Sequence, residues 1–168
     1  MSLINKINQL TKNDFVSIFG NVFEKTNWIA EEVYEQGPFS GFNDLYSKFL
    51  NLFENETRKN HLKILNFHPD LVVERKMTTD SKIEQANAKL NNCTKEEFEE
   101  FLNLNKNYKK KFKFPFIISV AGKNKIEILK SFKERINNDE TIEFNEALKQ
   151  VKKIASIRLE QIIENTHI

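Results

Sequence analysis

One histidine, His68, is the residue of this chain best suited to proton transfer. It stands in the segment 66–71, NFHPDL, between a helix-like run and a proline. Pro69 fixes its own φ and biases His68 away from helical geometry, so the imidazole is expected to leave a helix end at a defined angle. An imidazole titrates near neutrality and suits general acid–base chemistry. The alternative interpretation is a helix-ending His-Pro with a capping or packing role.

Three polar residues on one helix turn form a second group. Ser81, Glu84 and Gln85 stand at i, i+3 and i+4, after N-cap candidates at 78–80, so they share one helix face. The neighbouring apolar face is predicted to consist of Ile83, Ala86 and Leu90.

Arg158 is a third candidate because it falls within an apolar stripe. It follows Val151 by seven residues and Ile154 by four in the predicted last helix. Burying an unpaired guanidinium is costly, so Arg158 must find an anion or hydrogen-bond acceptors. The alternatives are a structural pair with a core glutamate, or a side chain that reaches the surface.

A metal hydrolase built on His61, His68 and Glu84 is a rival interpretation. His61 and His68 are seven residues apart and could share a helix face, but Pro69 spoils the second position. The chain has no His-Glu-x-x-His or similar spacing. The sequence therefore predicts no metal site.

The elements that must position these side chains are predicted to be helices. A chain of 168 residues can form one domain, 1–168, and fifteen phenylalanines against four glycines favour helices over a turn-rich β fold. Asn27 is predicted to cap one helix, and Thr94 to open another with a capping box. We expect an all-α, single-domain bundle of about seven to nine helices. Apolar periodicity places these helices around residues 3–10, 15–19, 28–34, 42–53, 62–65, 83–90, 98–108, 125–136 and 144–162.

The segment 112–122 is ambiguous. Its β-branched run is typical of a strand, yet the chain offers no second good strand to pair with it. We expect an extended, buried segment whose backbone amide and carbonyl groups could face a small ligand.

Composition and charge set limits on location and partners. The formal net charge is +2, from 26 basic and 24 acidic side chains, so nothing demands nucleic acid or an anionic membrane. The basic run 109–113 is interpreted as a solvated helix end. Cys93 is the only cysteine, which fits a reducing compartment, and no apolar run approaches the roughly 20 residues of a membrane span. The cytoplasm is the expected location, without a membrane or nucleic-acid partner.

Five short stretches together resemble a known family. They are 68–71 (HPDL), 81–85 (SKIEQ), 104–108 (LNKNY), 111–118 (KFKFPFII) and 154–159 (IASIRL). In order and approximate spacing they are similar to the 2-oxo-4-hydroxy-4-carboxy-5-ureidoimidazoline (OHCU) decarboxylases, the last enzymes of the route from urate to allantoin. Each motif alone is weak, but the resemblance spans nearly the whole chain.

The resemblance implies an all-α homodimer with a pocket among its helices, a small-molecule substrate, and no cofactor or metal. It implies that the enzyme decarboxylates OHCU to (S)-allantoin, with His68 as general acid/base. Glu84 would orient the imidazole or bind the substrate, and Arg158 would position the anionic substrate. The predicted substrate-binding residues are Pro69, Ser81, Gln85, Phe116, Ile117, Ile118, Ser119 and Val120. The alternative is a helical interaction or ligand-binding module without chemistry.

The chain departs from the family pattern where that pattern has small residues. Val72 and Val73 replace Ala-Gly or similar residues, and Lys89 and Lys113 each replace a glycine. None of these departures removes a proposed catalytic group. They bear on loop geometry, and therefore on rate.

Overall fold

Helices account for all the regular structure in the described part of the chain. The computed structural model describes residues 2–72 and 78–165, and within these ranges it has nine α-helices and no strand. The predicted all-α class is confirmed. None of the described helices is long and apolar enough to cross a membrane. The helices are α1 Leu3–Ile7, α2 Lys12–Phe19, α3 Asn27–Tyr34, α4 Phe42–Glu54, α5 Arg58–Phe67, α6 Thr79–Asn87, α7 Lys95–Phe112, α8 Lys125–Arg135 and α9 Glu140–Asn165.

The chain forms two compact units. The first consists of Met1–Ile64 and Lys152–Ile168, and the second of Leu65–Val151. The borders therefore fall within α5 and α9. The organisation of residues 1–168 as a single domain stays a prediction.

The core of the first unit is built on aromatic rings from α2 and α4. The ring centroids of Phe15 and Phe19 are 4.6 Å apart, and each ring lies within 6.3 Å of Phe49. Phe23 stacks on Phe53 at 4.7 Å. Such ring pairs add specific contacts to the burial of apolar area. Phe49 and Phe53 of α4 therefore belong to the core.

The core of the second unit surrounds the segment that follows α7. Phe116 stacks on Phe132 with centroids 3.9 Å apart, and both rings meet Tyr108 edge-on. All three side chains are fully buried. The aromatic residues thus anchor the start of the predicted pocket-lining segment to α7 and α8.

The helix starts of the second unit follow local sequence rules. The hydroxyl of Thr94 accepts from the amide of Glu97, whose carboxylate accepts from the amide of Thr94. This capping box confirms the prediction for α7. Asn124 and Glu127 form a second capping box at α8, which the sequence analysis did not identify.

The predicted N-cap at Asn27 is wrong by one residue. Asn27 is the first residue of α3, and Thr26 occupies the N-cap position. The Thr26 hydroxyl donates to the carbonyl of Phe23 at 2.7 Å and does not cap the helix. The Thr26 side chain therefore stabilises the preceding turn, and α3 begins without a side-chain cap.

Candidate active site

His68 directly follows the last residue of α5, as the His-Pro pair predicts. Its backbone amide donates to the carbonyl of Leu65 at 3.2 Å, and the residue is 9% exposed. We call residues 68–72 the His68 loop. A proline restricts the residue before it, so the contacts of this loop help to fix the backbone of His68.

Gln85 of α6 ties down the far end of the His68 loop. Its Oε1 accepts from the amide of Val72 at 2.9 Å, and its Nε2 lies 3.5 Å from the carbonyl of Asp70. Gln85 is one of the predicted substrate-binding residues. The structure shows instead that both ends of its amide group contact loop backbone, while contact with a substrate stays a prediction.

Two side chains of α7 hold the rest of the His68 loop. Asn105 Nδ2 donates to the carbonyl of Leu71 at 2.9 Å, and Lys109 Nζ lies 2.6 Å from Asp70 Oδ2. Asn105 is buried, so its hydrogen bond is shielded from water. Asn105 has no predicted role, although it stands in the motif 104–108, and Lys109 is predicted only as part of a solvated helix end.

The inward face of α6 is the polar one. Ser81 and Gln85 are buried and Glu84 is half-buried, whereas Ile83 is 54% exposed and Ala86 is also exposed. The predicted apolar face is therefore wrong for these two residues. Because the Gln85 amide is paired with loop backbone, burying it costs little.

The segment 116–120 is buried throughout and belongs to no helix or strand. The carbonyl of Ile117 accepts from Arg135 Nη1 at 2.8 Å, and the amide of Ser119 donates to Gln150 Oε1 at 2.9 Å. Within the described ranges, neither the amide nor the carbonyl of Ile118 has a hydrogen-bond partner. The segment thus has backbone groups that a small ligand could bind.

Arg135 belongs to a largely buried polar cluster that we call the Arg135 cluster, formed by Tyr108, Arg135 and Glu143. Arg135 Nη2 lies 2.6 Å from Glu143 Oε1, and the Tyr108 hydroxyl donates to the same carboxylate oxygen. Burial, and then the bond to Glu143, raise the pKa of Tyr108 above its ordinary value, so the phenol stays a donor.

The Arg135 cluster is not among the sites predicted from the sequence, although the sequence contains one signal for it. Glu143 precedes Ala147 by four residues and Val151 by eight, which places it on the buried face of α9. A carboxylate on such a face needs a cation or several donors.

Arg158 lies in the first unit and is buried there against a carboxylate. Its Nη1 is 3.0 Å from Glu24 Oε2 and donates to the carbonyl of Asn21, also at 3.0 Å. Arg158 therefore has the glutamate partner that the structural alternative requires. Its contact with an anionic substrate, and its place beside His68 and Glu84, stay predictions.

His61 has a structural role. Its Nε2 is 2.7 Å from the carbonyl of Phe53, and the two rings lie 5.0 Å apart. In the described part of the chain, no group of three or more His, Cys, Asp or Glu side chains is placed to hold a metal ion. The metal alternative therefore lacks a geometric basis in these residues.

The departures from the family pattern adopt the backbone conformation that glycine favours. Val72, Lys89 and Lys113 have φ values of 68°, 57° and 66°. A residue with a Cβ is disfavoured in this left-handed region by about 1–2 kcal/mol. The glycine-like backbone is kept at these positions at a cost in stability. Val73 lies outside the described residues.

Comparison with known proteins shows the family of the chain. A profile of the OHCU decarboxylase family matches residues 8–160. The chain is 35% identical over 156 residues to the 2-oxo-4-hydroxy-4-carboxy-5-ureidoimidazoline decarboxylase of Haloferax volcanii, covering 93% of each chain. This chain belongs to the OHCU decarboxylase family. The family expected from the five motifs is confirmed.

Two further proteins are similar to this chain. The chain is 39% identical over 162 residues to the uric acid degradation bifunctional protein of Bacillus sp. (strain TB-90), and spans about a third (32%) of that relative's length. A crystal structure of an OHCU decarboxylase in the presence of (S)-allantoin has the same fold, with a TM-score of 0.70 and 21% identity. It covers 91% of this chain and 99% of the other.

Proposed function

We propose that the protein decarboxylates OHCU to (S)-allantoin in urate breakdown, with His68 as the general acid/base. The observation that carries the proposal is the placement of His68, buried directly after α5 on a loop held by Gln85, Asn105 and Lys109. Membership of the OHCU decarboxylase family supplies the substrate class.

The reaction needs charge stabilisation and then delivery of one proton. The substrate has a carboxylate on a carbon that also bears a hydroxyl. Loss of CO2 leaves an electron pair that moves towards the adjacent C=N bond of the imidazoline ring, and the carbon that bears the hydroxyl thereby becomes part of an enol or its enolate. Prearranged donors that stabilise such charge are commonly the largest catalytic contribution. A positioned imidazole adds about 10²- to 10⁴-fold by protonating the carbon from one face.

The remaining side chains would orient the substrate around His68. Glu84 would orient the imidazole or bind a substrate hydroxyl or ureido N–H group. Ser81 and Gln85 would bind the polar edge, while Pro69 and the backbone of 116–120 line the pocket. Arg158 would attract and position the anion, because guanidinium groups bind carboxylates through paired hydrogen bonds.

We further propose that the enzyme works in the cytoplasm as a homodimer of single-domain subunits and needs no cofactor. Its only cysteine, Cys93, fits a reducing compartment. The decarboxylation itself requires no redox partner, because the electron pair left by CO2 is taken up within the substrate and then by a proton.

A coupled assay tests the proposed activity. Urate oxidase and its hydrolase partner generate OHCU from urate in the cuvette, and circular dichroism follows the optical activity of allantoin. Uncatalysed protonation reaches both faces of a planar enolate, whereas the purified protein should produce the (S) enantiomer and accelerate product formation. An unchanged, optically inactive course would refute the proposal and favour a non-catalytic helical module.

A further inference from the structure

We propose that Arg135, fixed by Glu143 and Tyr108, is a positioning residue that holds the segment 116–120 in the geometry needed for decarboxylation, together with Gln150. This inference rests on the proposed function. It assigns a positioning role to side chains that would act through the backbone of this segment and not on the substrate directly.

The guanidinium of Arg135 is oriented by one carboxylate and directed at one carbonyl. Its Nε and Nη2 lie 3.0 and 2.6 Å from Glu143 Oε1, which leaves Nη1 to donate to the carbonyl of Ile117 at 2.8 Å. A guanidinium is planar and rigid, so two bonds to Glu143 fix the direction of the third. Its central carbon also lies 4.4 Å from the ring centroid of Phe116. Arg135 thus meets the segment at two adjacent residues.

Glu143 is itself held in place from two other directions. The Tyr108 hydroxyl donates to Oε1, and Asn138 Nδ2 donates to Oε2 at 2.9 Å. The carboxylate is fully buried. Because both of its oxygens accept hydrogen bonds, the Glu143 carboxylate cannot rotate without losing one of them. Such bonds are strong in the low-dielectric protein interior. Side chains of α7 and α9 therefore determine the orientation of Arg135.

Gln150 provides a second, independent tether. Its Oε1 accepts from the amide of Ser119 at 2.9 Å, while its Nε2 donates to Glu146 Oε1 at 2.7 Å. The bond to Glu146 distinguishes the two ends of the amide group and turns the oxygen towards Ser119. The segment is thus held at a carbonyl and at an amide two residues apart.

Ile118 lies between the two residues that these hydrogen bonds hold, and its own backbone groups are available to a ligand. Within the described ranges the amide and carbonyl of Ile118 have no hydrogen-bond partner, although the residue is buried. Buried backbone groups are normally paired. We therefore assign Ile118 as the point at which the positioned backbone meets the polar edge of the substrate.

Arg135→Lys and Gln150→Met test the proposal, each with a matched control. Lysine keeps the charge but not the rigid fork, and methionine keeps the length but not the acceptor. Arg58→Lys and Gln161→Met make the same changes at exposed positions on other parts of the chain. The measurements are kcat and KM in the coupled assay and the hydrogen-exchange rate of the Ser119 amide.

Arg135→Lys and Gln150→Met should each lower kcat/KM by about 10- to 100-fold, mainly through kcat, because a displacement of about 1 Å at a reacting group can have this effect. The Ser119 amide should exchange at least about tenfold faster in Gln150→Met, because its bond to the side-chain oxygen is lost. Both control variants should stay within about twofold of the parent for kcat, KM and exchange, since they leave both tethers in place.

Two results would overturn the proposal, and they differ in what else they refute. If the parent is active and both test variants stay within about twofold of their controls, or lose turnover only in proportion to lost folded protein, the positioning role is wrong. If the parent itself forms no (S)-allantoin, the proposed function is wrong and the catalytic role of Arg135 falls with it.

Discussion

The described part of the molecule has one largely buried arginine–glutamate pair in each compact unit, and the two pairs contact different parts of the backbone. Arg158 and Glu24 form the pair of the first unit, where Arg158 also binds the carbonyl of Asn21. Arg135 and Glu143 form the pair of the second unit. Both carboxylates are fully buried, so burial alone does not distinguish the pairs.

What distinguishes the pairs is the chain segment that each arginine reaches. Arg135 donates to Ile117, within the segment that the sequence predicts to line the pocket. Arg158 donates to Asn21, in the connection between α2 and α3. A buried ion pair is weak evidence for stability and none for function. The backbone acceptor beside the pair is the more informative feature.

Breaking either pair at its carboxylate should have the largest effect on stability. Glu143→Gln and Glu24→Gln should each lower the free energy of unfolding by about 3–5 kcal/mol, because each leaves a buried guanidinium without a counter-charge. Urea denaturation measures the loss. The exposed Glu99→Gln should change it by less than about 0.5 kcal/mol. A similarly small change at Glu143 would show that Arg135 does not depend on this carboxylate.

Arg158→Lys should separate the roles of the two arginines. If Arg158 positions the anion, KM should rise about 10- to 100-fold, which corresponds to a charged hydrogen bond of about 1.5–3 kcal/mol. kcat should change much less, in contrast to Arg135→Lys. An unchanged KM with lowered stability would make Arg158 a structural residue, like its partner Glu24.

Tyr108→Phe should change how the free energy of unfolding depends on pH, through a residue of the second unit. The pKa of Tyr108 is raised by burial and by Glu143, so the folded state keeps this proton where the unfolded state loses it. Its contribution is fully present below about pH 10 and falls above it. The free energy of unfolding of the parent, relative to Tyr108→Phe, should therefore fall by up to about 1.4 kcal/mol per pH unit. Parallel pH profiles would contradict this coupling.

Lys113→Gly tests the strain at the start of the segment that Arg135 holds. Lys113 has a φ of 66° and is exposed, so glycine should stabilise the protein by about 1 kcal/mol. Lys110→Gly, within the last turn of α7, should instead destabilise it by about 0.5–1 kcal/mol. The two variants should shift the thermal midpoint in opposite directions, and a shift of the same sign would be inconsistent with strain at Lys113.

Features that depend on neighbouring residues in the sequence could be predicted well. Pro69 ends α5 at His68 because a proline restricts the residue before it. Thr94 and Glu97 satisfy each other's backbone amides, so the start of α7 is evident from four residues. Phe49 and Phe53 lie on one face of α4 for the same reason, because the spacing of four residues that places them there is local.

Features that depend on distant partners could not be predicted. The inward face of α6 is polar because Gln85 finds the backbone of Val72, and no local pattern reveals that pairing. Arg135 resembled an ordinary basic residue at the end of a helix, because its partners Glu143 and Ile117 belong to other elements. Sequence periodicity reports which side chains are buried, but not what they bind there.

His68→Asn in the coupled circular dichroism assay tests the central claim most directly. Asparagine can occupy the same helix end but cannot transfer a proton near neutral pH. The parent should form (S)-allantoin, whereas the variant should keep its helical spectrum and lose the stereospecific conversion. A variant that turns over OHCU at the parental rate, with the same stereochemistry, would remove His68 from the mechanism.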